Sequence, residues 1–401
     1  MKKVNRREFI AAAGAGGLAA LGMGPQDADG LVVHEWGVVT VIAGTAHSSL
    51  RTAGCTRKGA KEVDPTLPPF VLTWDRFIGN AIDLNGDLVP VRKPIVYFYS
   101  KEQRTISVRV SVPTGAPAAW WPPGATYSPR PDYHIPSGKR TPGGPRLKEI
   151  QARDGSLRWD RLVIALEGTG MEKAEGWWET ARKTDAALVA SGRKVEKFLF
   201  YDALVTFDPQ VEVDWKKGGK IRLRNDSPEA YGHLFAVRVK EGKVSFAHLP
   251  ELKAGATADL STAPGAPETL AQALVEAGLF KKEAEGLVDI LREEFFSIDG
   301  TRVLMVASRE AYDRLLPIEI TPAPKELRRV LVVQLECLDE ERREEVAKWI
   351  EGLGAEGLDE RATAAAKLRA FGLLAEPQIR AAAELSKDPE VKARLQDLLK
   401  R

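Results

Sequence analysis

Runs of apolar residues, some continuous and some alternating with polar ones, mark short strands from Leu31 to about Pro264. Leu31–Ile42 (LVVHEWGVVTVI) is apolar on both faces, the pattern of a strand covered on two sides. Thr105–Val112 alternates, with Ile106, Val108, Val110 and Val112 on one face and Ser107, Arg109 and Ser111 on the other, and predicts a half-exposed strand. Further strands are expected at Phe70–Trp74, Val89–Ser100, Arg158–Leu166, Val195–Phe207, Lys220–Arg224, Tyr231–Val239 and Lys243–Leu249. Asn85-Gly86 reads as a hairpin turn. A helix is expected over Lys173–Ser191, carrying Trp177 and Trp178. The late strands recur every ~8–12 residues with Gly-containing turns, which argues for an antiparallel sandwich rather than βαβ units.

The periodicity changes at Pro264. Pro267–Ala277 and Lys281–Glu293 read as amphipathic helices, Arg302–Ala307 and Leu327–Leu335 as strands, and everything after Asp339 as helix. Glu376-Pro377 and Asp388-Pro389 each place an acidic residue before a proline in the first turn, a firm helix start. The expected fold class is therefore α+β, with an antiparallel β-sandwich-like main domain (31–263) and a mixed α/β region packed on it (264–338). A C-terminal helical segment (339–401) resembles HEAT-type hairpins.

Composition and charge narrow the class. The chain has 401 residues, 44% apolar and 28% charged, which suits a globular protein with a sizeable core. The formal net charge of +2 includes +3 from Lys2, Lys3, Arg6 and Arg7 against Glu8, leaving about −1 for the remainder. A near-neutral body lacks the footprint of a nucleic-acid binder. Residues 1–24 read as a leader: Asn5-Arg6-Arg7-Glu8-Phe9-Ile10 resembles the twin-arginine motif, and the apolar stretch to Met23 is too short to span a bilayer comfortably. Export by that route to the periplasm or the extracellular space is expected, with membrane contact only through the export machinery or an uncleaved leader. Cys55 and Cys337 are the chain's two cysteines. They read either as one disulfide, favouring the fold by up to ~4–5 kcal/mol on the chain-entropy model, or as unrelated thiols.

The candidate chemistry centres on His34 and Glu35. As neighbours in a strand they point to opposite faces and cannot easily share an ion. A divalent metal would need His34 with another histidine, His233 in first place, or His47, His134 or His248; Glu35 would then be the catalytic carboxylate. The alternative is a His34 hydrogen-bonded in the core and a Glu35 paired with an arginine, because an unpaired buried carboxylate is costly. Residues 113–146 hold nine prolines and five glycines and read as a long loop. On it Trp120, Trp121, Asp132 and His134 are candidates for contacting a carbohydrate or protein partner, or the tryptophans simply pin the loop. The sequence has no Gly-x-Ser-x-Gly elbow and, beyond the leader, no phosphate-binding loop.

His34-Glu35-Trp36-Gly37 followed by Val38-Val39-Thr40 resembles the opening of a family of exported bacterial proteins that begin HEWGTFT. Pro94–Tyr99, Glu196–Tyr201, Leu315-Leu316-Pro317 and Leu331–Leu338 are similar to later segments of that family. The chain departs from the pattern at Val38-Val39 and at Asp202-Ala203, where the family has Arg-Gly. The resemblance implies a group and no mechanism. Two functional classes remain: an exported binding or scaffold protein with a helical interaction segment, and an exported metal-dependent or carbohydrate-active hydrolase with its site near His34 and Glu35.

Overall fold

The computed structural model describes residues 30–43, 66–73, 88–128, 154–265 and 268–399. The expected leader, the Asn85-Gly86 turn, His47, Cys55, Asp132 and His134 lie outside the described residues. Among those described, the strands in chain order are β1 (Val32–Ile42), β2 (Leu72–Thr73), β3 (Leu88–Tyr99), β4 (Arg104–Val112), β5 (Ala116–Trp121), β6 (Ala125–Ser128), β7 (Gly155–Ala165), β8 (Leu188–Ser191), β9 (Lys194–Glu196) and β10 (Leu199–Thr206). They continue as β11 (Val211–Trp215), β12 (Lys220–Asn225), β13 (Tyr231–Lys240), β14 (Lys243–Leu252), β15 (Thr257–Ser261), β16 (Ala263–Pro264), β17 (Gly300–Val306), β18 (Ile318–Thr321) and β19 (Glu326–Cys337). The helices are α1 (Trp177–Ala181), α2 (Glu268–Glu276), α3 (Lys281–Phe296), α4 (Arg309–Leu315), α5 (Glu340–Gly352), α6 (Leu358–Phe371), α7 (Glu376–Leu385) and α8 (Pro389–Leu399). The fold is mixed α+β, with large sheets and a C-terminal helical part.

A ten-stranded sheet runs β16-β14-β13-β17-β19-β1-β3-β10-β5-β2. One face of it and a six-stranded sheet containing β4, β7 and β18 share a core that includes Val33, Val39, Val41, Val108, Val110, Trp159 and Val333. The opposite face lies under α1, α2 and α3, with Trp36, Val38, Tyr97, Leu274, Leu287 and Phe295 among its buried residues. β1 is thus covered on both sides, and all of its residues are buried.

Four expectations need correcting. The large sheet is not purely antiparallel, because β1 pairs in parallel with β19 over its whole length. Nor does Pro264 separate two layers: β17 and β19 lie between β13 and β1, so the strands after it complete the sheet begun by those before it. Their continuous apolar runs, Val303–Val306 and Val330–Val333, mark interior strands. The expected helix over Lys173–Ser191 shrinks to α1, because Leu188–Ser191 pairs with β7 and β9 as a strand. In the proline-rich stretch, Ala116–Trp121 and Ala125–Ser128 are also strands.

The C-terminal helices α5–α8 gather around a separate core containing Val346, Leu353, Leu368, Ile379 and Leu395.

Candidate functional site

β1 delivers Glu35 and His34 to opposite faces of the large sheet, and each side chain meets its own set of partners. Glu35 is 0% exposed and lies on the sheet-to-sheet side. Its Oε2 accepts from Arg329 Nε at 2.5 Å and its Oε1 from the Tyr201 hydroxyl at 2.5 Å. The register places Arg329 directly beside Glu35 on the neighbouring strand. Each of the other guanidinium nitrogens is engaged too: Nη1 donates to Asp313 Oδ1 at 2.7 Å and Nη2 to the Leu316 carbonyl at 2.8 Å. The Tyr312 ring lies over the guanidinium carbon at 4.0 Å.

Electrostatics fixes the protonation of this group. Burial alone would lower the Arg329 pKa, but Glu35 beside it raises the net value above the usual arginine range. Tyr201 and Tyr312 are pushed well above 10, first by burial and then by Glu35, so both hydroxyls keep their protons. Asp313 is held below the usual carboxylate range: burial would raise it, but Arg329 and Arg309 outweigh that.

Gly37 has a steric reason. A Cβ there would sit 2.9 Å from the Tyr312 hydroxyl and 3.5 Å from Pro94, both packed against the strand. The pairing of β1 with β3 also shifts register between Trp36 and Val38, on either side of this glycine.

His34, 2% exposed, faces the helices. Its Nδ1 lies 2.8 Å from Glu283 Oε2, and its ring stacks on Phe280 with centroids 4.3 Å apart. Glu283 occupies the first turn of α3 and reaches back to accept from the Phe280 amide at 2.7 Å, satisfying a donor that the helix itself leaves open. The Tyr99 hydroxyl donates to the other carboxylate oxygen at 2.8 Å. One carboxylate thus ties the start of α3 to β1 and β3. Burial, and then Glu283, raise the Tyr99 pKa well above 10, which keeps that hydroxyl a donor.

The other sequence candidates fall elsewhere. His233 lies on β13, separated from β1 in the sheet by β17 and β19. Its φ is +42°, and its Nδ1 is 3.9 Å from Glu276 Oε2, with the His248 ring parallel at 6.1 Å. Burial and the nearby His233 lower the His248 pKa, with Glu276 opposing. Among the described residues no three histidine, cysteine, aspartate or glutamate side chains stand close enough to hold a metal ion. The pairing of His34 with His233 is therefore a correction: the strand order keeps them apart. Trp120 and Trp121 are corrected too, being 1% and 3% exposed on β5 with their rings in opposite cores. Neither offers a face for a sugar to stack on. Cys337 is a free, buried thiol whose pKa burial drives upward, which makes it inert.

Comparisons with known proteins add no identity. No family model matches the chain, and no curated protein matches it. Among solved structures it is similar to the yeast delta-COP-I mu-homology domain, at 7% identity and a TM-score of 0.26, over 77% of this chain and 96% of that one. It is also similar to that domain complexed with the Dsl1 WxWxV peptide, at 6% identity and a TM-score of 0.26, over 77% and 97%. Overlaps this loose carry no argument about the chain.

The partners that the sequence did not single out are Arg329, Asp313, Tyr201, Tyr312 and Glu283. The signal for Arg329 was present: Arg328-Arg329 sits at the mouth of the run Val330–Val333, where a charge needs a buried counter-ion. Nothing local marks Glu283, whose partner His34 lies 249 positions away.

Proposed function

We propose that this chain is an exported binding or scaffold protein in which His34 and Glu35 belong to the framework rather than to a reaction centre. The observation that carries the reading is the commitment of both side chains. Each is at most 2% exposed and engaged by protein groups on its own face of the sheet. A substrate or catalytic water would have to displace Arg329 from Glu35 or Glu283 from His34, and either exchange leaves an unpaired charge inside. The body reads as sandwich-like, because the core beneath Glu35 draws side chains from two sheets. The C-terminal helices, HEAT-like in their paired arrangement, are the segment offered to a protein or carbohydrate partner. No helix among the described residues is long and apolar enough to cross a membrane. The twin-arginine leader directs the protein to the periplasm or beyond, and the HEWG resemblance supports the same destination.

The test is to express the chain with its own leader and measure metal in the exported protein, alongside His34→Ala. Framework roles predict no stoichiometric divalent metal and a lower melting temperature for the variant. Bound metal that disappears with His34→Ala would overturn the framework reading in favour of a metal site at His34. Arg6→Lys with Arg7→Lys should retain the protein inside the cell in folded form. Normal export of that double variant would remove the localisation.

A further inference from the structure

The C-terminal helices and the β-body do not share a core. Cys337 belongs to the core between the sheets, whereas the next residue, Leu338, belongs to the core of α5–α8. No helix of that unit packs extensively on a strand of the body. Polar contacts span the gap. The Lys217 ammonium lies 2.8 Å from Glu344, and the Lys217 amide donates to Glu340 at 3.0 Å. Arg238 lies 3.4 Å from Asp339 and 3.6 Å from Glu341, with Lys240 3.7 Å from Glu341. Arg343 reverses the polarity, donating to Asp214 and to the Trp215 carbonyl, both at 2.8 Å. Glu340, Glu341 and Glu344 thus form an acidic first turn and flank on α5, set against cations of β13 and of the turn before β12.

We propose that α5–α8 form a folded arm latched to the β-body by this charged seam, and that ionic strength decides whether the arm is docked or swung out about Cys337–Asp339. A hydrophobic interface is insensitive to moderate salt, but solvent-reached ion pairs are weakened as the screening length falls from ~10 Å at ~0.1 M to ~3 Å at ~1 M. The side chains of Lys217 and Glu344 are more than half exposed, so salt reaches this part of the seam. Because the arm keeps its own core, it moves as a unit and does not unravel. The inference concerns how the proposed interaction segment is presented and holds whatever that segment binds.

The test uses the full-length chain. Small-angle scattering and amide exchange at ~0.1 M and ~1 M sodium chloride should show a larger radius of gyration at high salt. Protection should be lost at the Lys217 amide, which donates to Glu340 across the seam, but kept in α5–α8 and in β1 and β19. Glu341→Lys with Glu344→Lys should reproduce the open form at low salt. Pairing Lys217→Glu with Glu344→Lys should close it again relative to either change alone. Scattering and seam exchange that stay the same at both salts and in the double variant would overturn the latch. Loss of protection in α6–α8 together with opening would overturn the rigid arm.

Discussion

Replacing Glu35 by glutamine removes one charge and almost no volume, so it isolates the electrostatic part of the buried group. In the wild type the carboxylate faces Arg329, whose side chain is 0% exposed. In Glu35→Gln the guanidinium keeps Asp313 and the Leu316 carbonyl, but Asp313 is 42% exposed and neutralises it less well. The amide oxygen still accepts from Arg329, the amide nitrogen can donate only to a Tyr201 hydroxyl turned to accept, and the guanidinium loses its buried counter-charge. Removing one partner of a buried ion pair costs ~3–5 kcal/mol, and the surviving contacts place this case near the lower end. With an unfolding entropy of about 0.6 kcal/mol/K for a body of about 300 residues, a loss near ~3 kcal/mol should lower the melting temperature by roughly 5 °C. Differential scanning calorimetry with a urea titration as a second probe checks it. Arg329→Met added to Glu35→Gln should recover part of the loss, since it removes the stranded charge. A Glu35→Gln protein as stable as the parent, or more so, would refute the framework assignment, because catalytic carboxylates are characteristically released from strain when neutralised.

Three further outcomes follow from the same geometry. Gly37→Ala should destabilise by ~1–3 kcal/mol through its clash with the Tyr312 hydroxyl, and Tyr312→Phe should relieve much of that in a double-mutant cycle; simple additivity would show that the clash is not the cause. Deleting residues 358–401 should leave the main unfolding transition of the β-body in place and increase dye binding to the uncovered face of α5, whereas loss of that transition would make the arm integral. Asp313 has a folded pKa below its unfolded value of ~3.9, so its contribution to stability is fully present above about pH 4 and lost as the pH falls through the folded value. In urea titrations Asp313→Asn should therefore flatten the acid limb below about pH 4, and an unchanged slope would assign that limb to other carboxylates.

Local pattern made β1, β4, β13, α2, α3 and the C-terminal helices legible, because each carries its periodicity within a few residues, whereas the short α4 was not anticipated. It also placed His34 and Glu35 on opposite faces, which the structure bears out. What it did not reveal is set by long-range pairing. β5 reads as loop because Pro117 and the flanking prolines suppress strand propensity, and pairing with β10 and β2 makes it a strand. The mixed character of the sheet was hidden for the same reason: no residue of β1 says that its neighbour runs parallel. Of the partners of Glu35, Arg329 left a trace as a charge at the mouth of an apolar run, whereas Tyr201 looks like an ordinary strand residue until register brings both to the same carboxylate.

The pairing of β1 with β19 carries a consequence for how the chain matures. Glu35 and Arg329 are 294 positions apart. The extra closure entropy, relative to the early β1–β3 pairing, is only ~1.4 kcal/mol, a tenfold effect. Availability of the chain is the larger obstacle. At ~5–20 residues per second, β1 waits roughly 15–60 s on the ribosome before its central neighbour exists. Throughout that interval an apolar strand with an unneutralised carboxylate has one open edge and no finished layer above it. The nascent protein must therefore be shielded by something other than its own fold, and its N-terminal half cannot be a stopping point. A release of the chain short of β19 should leave a product that aggregates, however complete its first strands look.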